Sequence, residues 1–347
     1  MATEHTSSEW AELVGQTTAV ELLTQAIARH RIAPAYLFVG PSGVGKRLAA
    51  ELFAEQLLAR PNARAHRASH QSSDQSHATG LTYHKTNQTS DILKQRVRQR
   101  NHPDLFWIEP TYLNQGKRLT VSEAIASGLK RRSPPQVRLE QIRDIPRFLS
   151  RPPLESERAV VVLDGADSMG EPAANALLKT LEEPGQATLI LTAPNIDSLL
   201  PTLISRCQRI SFSRLSPAQM TTVLTGLGKQ EILSQESIFA IAQGSPGEAI
   251  ASWERLQAIP AELLTTATQP LQSLRAALDL ARQINKALDT EDQLWLIDYL
   301  QHHYWHHTFQ PAAIQHLETA RTHLLRYVQP RLVWETTFMS LLECQSR

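Results

Sequence analysis

One stretch constrains the fold more than any other: Gly40-Pro41-Ser42-Gly43-Val44-Gly45-Lys46-Arg47, which follows a short apolar run and opens a helical pattern. It matches G-x-x-x-x-G-K. Gly40, Gly43 and Gly45 let backbone N–H groups wrap phosphate oxygens, a helix amino terminus adds positive potential, and Lys46 reaches the outer phosphates. Such a loop needs a strand before it and a helix after it. Ala35 to Val39 predicts the buried strand, and the Leu- and Ala-rich segment from Lys46 to Ala59 predicts the helix.

The same alternation continues. Thr17 to His30 reads as a helix, Leu105 to Ile108 as a strand, and Val137 to Ser150 as an amphipathic helix presenting Leu139, Ile142, Ile145 and Phe148. Ala159 to Leu163, rich in branched residues, suits a strand buried on both faces. Helix Glu171 to Leu181, strand Ala187 to Thr192, a short helix near Thr202 to Ser205 and strand Gln208 to Phe212 complete a parallel sheet with helices on both faces. This is a nucleotide-type α/β domain over residues 1–213. Within it, residues 60–91 are crowded with Ser, Thr, Gln, Asn and His and read as a mobile insertion. The stretch from the second strand to about Gln136 reads as polar and without elements. Beyond Ser213 the strands stop, and a small helical lid (214–258) and an all-helical domain (259–347) are expected.

Composition narrows the function classes. Thirty-five Lys and Arg against thirty-four Asp and Glu give a net charge of +1, so no global field points to nucleic acid or membrane. Lys94, Arg96, Arg98, Arg100, Lys117, Arg118, Lys130, Arg131 and Arg132 form a local basic zone, read as a solvated surface in preference to a DNA patch. Cys207 and Cys344 are too few for a disulfide framework or a cysteine-based zinc module. With no apolar run of about 18 residues and no secretory leader, a cytoplasmic protein is expected.

The loop's surroundings break the pattern of an NTPase. The motif's last position calls for a Ser or Thr hydroxyl on Mg²⁺, and here it is Arg47; a guanidinium at the metal position would repel a dication by about 8 kcal/mol at 4 Å and an effective dielectric of 20. Asp164, at the end of an apolar strand, is either the metal-side carboxylate or an acid capping a turn, and the next position, where a general base belongs, is Gly165. Asp167 lies too far along to replace it simply. Thr192 and Asn195 either orient a γ-phosphate or water, or are ordinary polar residues at a strand end. The Gly244-Ser245-Pro246-Gly247-Glu248 turn offers no cation to complete the pocket. Arg206, in Ser205-Arg206-Cys207, stands at the domain rim, out of reach of its own loop. It reads as a surface ion pair or as a group for a neighbour's site. His303 and His307 have metal-ligand spacing but lack an acid or cysteine partner, so a packed helical surface is expected there and no metal.

Together these residues resemble the clamp-loader branch of the AAA+ proteins. The resemblance runs through Val14-Gly15-Gln16, Ala35 to Pro41, His102-Pro103-Asp104-Leu105, Gln141-Ile142-Arg143, the run from Ala173 to Pro184 and Ser205-Arg206-Cys207. It covers about the first 215 residues strongly and the remainder by length and layout. It implies an AAA+ domain, a lid and a helical collar holding five subunits in a ring. Partners would be motor subunits (gamma or tau), a delta subunit, the sliding clamp and primer-template DNA. Arg206 would act in trans on a neighbouring ATP site, and Lys46 would be the phosphate-binding lysine. Arg47, Gly165 and Gly247 depart from the motor subunits, and the insertion lacks their zinc-binding cysteines. The resemblance therefore implies a subunit that does not hydrolyse ATP, with no zinc and with ATP or ADP possible at the degenerate loop; the alternative is an active AAA+ motor.

Overall fold

A computed structural model describes residues 9–61, 91–128, 134–307 and 311–345. The insertion expected to be mobile falls, apart from its ends, outside the described residues, as do His66, His70, His77, His84, Lys130, Arg131 and Arg132. The chain divides into two compact units, Met1–Glu123 with Pro135–Arg214, and Ala124–Pro134 with Leu215–Arg347.

In the first part of the chain α1 (Thr17–Ala28), β1 (Ala35–Val39), α2 (Lys46–Leu58) and α3 (91–98) are followed by β2 (Leu105–Ile108). Then come β3 (Tyr112–Asn114), β4 (Lys117–Leu119), α4 (Val121–Ala126), α5 (Leu139–Leu149), β5 (Ala159–Leu163), α6 (Glu171–Glu182), β6 (Ala187–Ala193), α7 (Pro201–Ile204) and β7 (Gln208–Ser211). Five strands form one sheet in the order β2-β5-β6-β1-β7, each neighbour parallel. Every residue of β5 and β6 is buried, as a sheet covered on both sides requires.

The two faces follow from the strand's period of two. Ala35 and Leu37 of β1 join Val161, Leu163, Leu189 and Leu191 in a core closed by Ile142 and Ile145 of α5 and Leu177 of α6. Tyr36 and Phe38 point the other way and meet Phe53 of α2, at ring separations of 5.0 and 6.5 Å.

The polar stretch expected to lack elements instead holds a hairpin and a helix. β3 and β4 pair antiparallel, Tyr112 opposite Leu119, around Gln115 (φ 50°) and Gly116 (φ 80°). Two consecutive positive φ values match the twist of a tight hairpin. The strands are three residues each, with Tyr112 buried and only half of the six residues exposed, too short for an apolar alternation to advertise them.

Two of the polar motifs hold the sheet in place. The buried Asp104 carboxylate accepts the backbone N–H groups of Leu154 (2.6 Å), Glu155 (2.8 Å) and Ser156 (2.7 Å), which ties the approach to β5 against the approach to β2. The N–H of Asp104 itself is donated to His102 Nδ1 at 3.1 Å, and burial lowers the His102 pKa, favouring the neutral ring that can accept it. Gln141 donates to the Glu109 carbonyl at 3.0 Å and accepts the Arg138 N–H at 2.9 Å, joining the start of α5 to the end of β2.

The second part is helical: α8 (Pro217–Gly226), α9 (Glu236–Ala242), α10 (Pro246–Ala258), α11 (Ala261–Thr268), α12 (Leu274–Ala287), α13 (Thr290–His307), α14 (Pro311–Leu325) and α15 (Pro330–Gln345). Ser216 and Gln219 form a reciprocal capping box that starts α8 at the Ser-Pro break. In the last helices α12 packs on α15 and α13 on α14. Their core centres on Trp334, fully buried, whose indole N–H donates to Gln293 Oε1 at 2.9 Å. Among the described residues no helix is long and apolar enough to cross a membrane, and no group of three or more His, Cys, Asp or Glu could hold a metal ion.

Candidate functional site

The sheet brings the glycine loop, Asp164 and Thr192 to the carboxyl ends of three adjacent strands, β1, β5 and β6. In open α/β sheets this is where ligands bind. Gly40 is required by packing: a Cβ there would come within 2.3 Å of the Phe212 carbonyl oxygen, because the loop leaves β1 pressed against the end of β7. Gly43 and Gly45 adopt φ of 72° and 104°, which turns the loop into the first turn of α2. Gln16 holds the loop from behind, donating to the carbonyls of Val44 (3.2 Å) and Ser213 (2.7 Å) and accepting the Ser213 N–H at 3.0 Å.

Lys46 is buried, and its ammonium donates to the carbonyls of Gly40 (2.5 Å) and Pro41 (2.6 Å). A phosphate reaching this lysine would compete with the loop's own carbonyls.

Arg47 supplies the main departure from a hydrolytic site. Its guanidinium lies 3.4 Å from Asp164, 3.6 Å from Glu109 and 3.6 Å from Glu51, and it faces the Trp107 ring at 5.6 Å. Arg100 approaches the same ring at 5.0 Å and bonds Glu109 at 2.7 Å. A half-exposed cation thus lies beside the carboxylate that a metal-dependent NTPase reserves for its dication. Burial raises the pKa of both Glu51 and Glu109, while the neighbouring Arg47 opposes that rise. The donor set fits phosphate oxygens, through the glycine-loop N–H groups and Lys46, and does not fit Mg²⁺.

Asp164 is fixed further by Thr192, whose hydroxyl donates to Oδ1 at 2.7 Å and accepts the Gly165 N–H at 2.9 Å. Thr192 is therefore committed to orienting the carboxylate. Gly165 adopts φ 73°, and a Cβ there would meet Pro110 Cγ at 2.9 Å. The position that should carry a general base is shaped for glycine. Asn195 does not join the cluster through its side chain; it caps the following turn, accepting the Ser198 N–H at 2.8 Å.

Arg206 lies at the other end of the sheet. Gln208 is level with Tyr36 of β1, four residues before Gly40, so Arg206 is separated from the loop by roughly 13 Å or more along the strands. Its side chain, 36% exposed, bonds Glu182 through Nη2 at 2.6 Å and Nε at 3.1 Å, and the Thr202 carbonyl at 2.9 Å. Both readings of the sequence stay geometrically open, since the ion pair exists and the guanidinium faces outward at the rim. Beside it, burial pushes the Cys207 thiol up to about 11, so it stays protonated and chemically quiet at neutral pH.

The sequence reading missed Glu109, Trp107 and Glu51. Glu51 carries a signal, being four residues after Arg47 on one helix. Glu109 and Trp107 reach the site only because β2 aligns with β5, and no local pattern reports that pairing.

Two family descriptions match the chain: "DNA polymerase III, delta subunit" over residues 15–216 and "Cyanobacterial DNA polymerase III delta prime, C-terminal domain" over residues 218–341. DNA polymerase III subunit delta' of Pseudomonas aeruginosa is 31% identical over 227 residues, covering 65% of this chain and 57% of the relative. The Bacillus subtilis subunit delta' is 29% identical over 203 residues, covering 58% and 49%. These matches thus span about half the length of the relatives. A DNA polymerase III gamma subunit-related protein from Thermotoga maritima shares the fold, with a TM-score of 0.50 and 15% identity over 92% of this chain and 98% of that one.

Proposed function

The chain belongs to the DNA polymerase III delta-prime family, with an AAA+ P-loop fold, and on that premise we propose that it is a clamp-loader subunit that completes a neighbour's ATP site without hydrolysing ATP itself. The observation that carries this reading is the pairing of Arg47 with Asp164 beside a glycine-shaped Gly165, in a chain that presents Arg206 outward at the opposite rim. Arg47 beside Asp164 disfavours a dication in the chain's own site, and Gly165 supplies no base there. The exposed guanidinium offers the planar charge that stabilises a transferring phosphoryl group.

In this reading residues 1–213 form the AAA+ domain, 214–258 the lid and 259–347 a collar that holds the subunit in a heteropentamer. The partners are the motor (gamma or tau) and delta subunits, with the sliding clamp and primer-template DNA engaged through the complex, in the cytoplasm. The loop formed by Gly40, Gly43, Gly45 and Lys46 holds ATP or ADP as a structural ligand, with Arg47 in the role of the metal. An active motor, the second reading, has no observation in its favour comparable to the Arg47–Asp164 pair.

The test is ATP turnover and ADP binding by the purified chain. No Mg²⁺-dependent turnover is expected, and ADP affinity should change by less than about threefold between Mg²⁺ and EDTA, because the counter-cation is covalently part of the chain. Arg47→Ser should make binding Mg²⁺-dependent. Robust turnover by the isolated chain, abolished by Lys46→Ala, would establish the motor reading instead.

A further inference from the structure

At the end of the sheet away from the glycine loop, the amino ends of β2, β5 and β6 frame a groove made of two adjoining cavities of about 310 and 200 Å³. The two share Arg151, Pro152, Pro153 and Ala159. Pro103 and Phe148 wall the larger cavity, and Pro184 lies in the smaller. Neither cavity belongs to the glycine-loop site.

The groove is built rigid. Asp104 gathers three consecutive N–H groups of the loop that carries Pro152 and Pro153, and Phe148 is stacked on Phe106 at 5.2 Å. The prolines fix their own φ. A preformed site loses little conformational entropy on binding, which is the main saving available to a weak docking surface.

Its chemistry is asymmetric. Leu154 stands 65% exposed beside the apolar walls, a large side chain without cover. Arg147 is 85% exposed, and among the described residues its guanidinium has a single loose carboxylate neighbour, Asp144, at 3.5 Å. Arg151 makes no ion pair among the described residues. The carboxylate in the lining, Asp104, is already engaged by its three donors. The groove thus offers a cavity for one or two apolar side chains, with the Arg151 guanidinium and the loosely held, exposed Arg147 guanidinium beside it.

We propose that this groove docks a short acidic peptide segment of a partner protein, with an apolar side chain between the prolines and Phe148 and carboxylates on Arg147 and Arg151. A nucleic-acid strand fits less well. It would need several cations spaced along its path and open aromatic faces for its bases, whereas the lining holds two cations, Arg147 and Arg151, four residues apart, and the ring of Phe148 is stacked on Phe106.

The test is fluorescence anisotropy with the full chain and a labelled hexapeptide, Glu-Asp-Leu-Leu-Asp-Glu. The same peptide with lysines for its acids, the same peptide with serines for its leucines, and a labelled oligothymidylate are the comparators. Saturable binding of the acidic leucine peptide is expected, with both altered peptides at least about tenfold weaker. Arg147→Glu combined with Arg151→Glu should weaken it by about tenfold or more, and Leu154→Asp should do the same, whereas Arg275→Glu on α12 should leave it unchanged. Unshifted thermal melts establish that the variants fold. The proposal fails if the acidic peptide binds no better than the basic one, or if charge reversal leaves its affinity intact. It also fails if the oligothymidylate binds in preference and is lost on reversal, which would make the groove a nucleic-acid site.

Discussion

Replacing Arg206 by alanine is expected, on the proposed trans role, to slow DNA-stimulated ATP hydrolysis at the neighbouring site by about 10³-fold, roughly 4 kcal/mol of transition-state stabilisation. The measurement is turnover of the reconstituted complex with only that adjacent motor site left competent. Nucleotide binding there should change far less, because the charge that a trans-acting arginine would meet develops as the phosphoryl group transfers. Arg206→Lys should recover little, since an ammonium cannot reproduce the planar fork that now bridges Glu182 and the Thr202 carbonyl. The exposed Glu182 pair can be exchanged for a phosphate at small cost, as solvent-screened pairs contribute little. Turnover that survives Arg206→Ala undiminished would remove the trans role and leave Arg206 as a surface ion pair.

The second large effect is on stability. Asp104→Asn should destabilise the α/β unit by about 3 kcal/mol, because a carboxamide presents an NH₂ donor to at least one of three N–H donors that a carboxylate accepts at 2.6 to 2.8 Å. For a unit of this size the melting midpoint would fall by about 6 to 12 °C. Asp104→Ala should be at least as damaging, leaving the buried Ser156 N–H and the part-buried Leu154 and Glu155 N–H groups without their acceptor. A midpoint within about 2 °C of the parent would mean that the loop reorganises cheaply and that the three hydrogen bonds to Asp104 are incidental. The same variant loosens the loop carrying Pro152 and Pro153, so it should also weaken peptide docking in the groove.

Much of the fold was legible because the buried strands are nearly continuous apolar runs. Ala159–Leu163 and Ala187–Ala193 are buried along their whole length, and their composition announces it. The β3–β4 hairpin was not legible, since its strands are too short to carry an alternation and its turn is Gln-Gly. At the site, the motif announces Lys46 and the glycines because backbone geometry near phosphate demands those residues at that spacing. The departures at Arg47 and Gly165 were equally visible, being single positions in a known pattern.

What those departures do to the site was decided only by tertiary structure. The sequence by itself determined the class of domain, the place of the glycine loop and the loss of a metal-binding hydroxyl and a base, all of which depend on neighbours within a few residues. It did not determine that Arg47 would rest on Asp164 and Glu109, that Thr192 would be committed to Asp164, or that Asp104 would build one wall of a groove. Those contacts join residues 28 to 117 positions apart, through strands paired in the order β2-β5-β6-β1. Strand order is set by which crossovers bury the most apolar surface, a global quantity that no local spacing encodes.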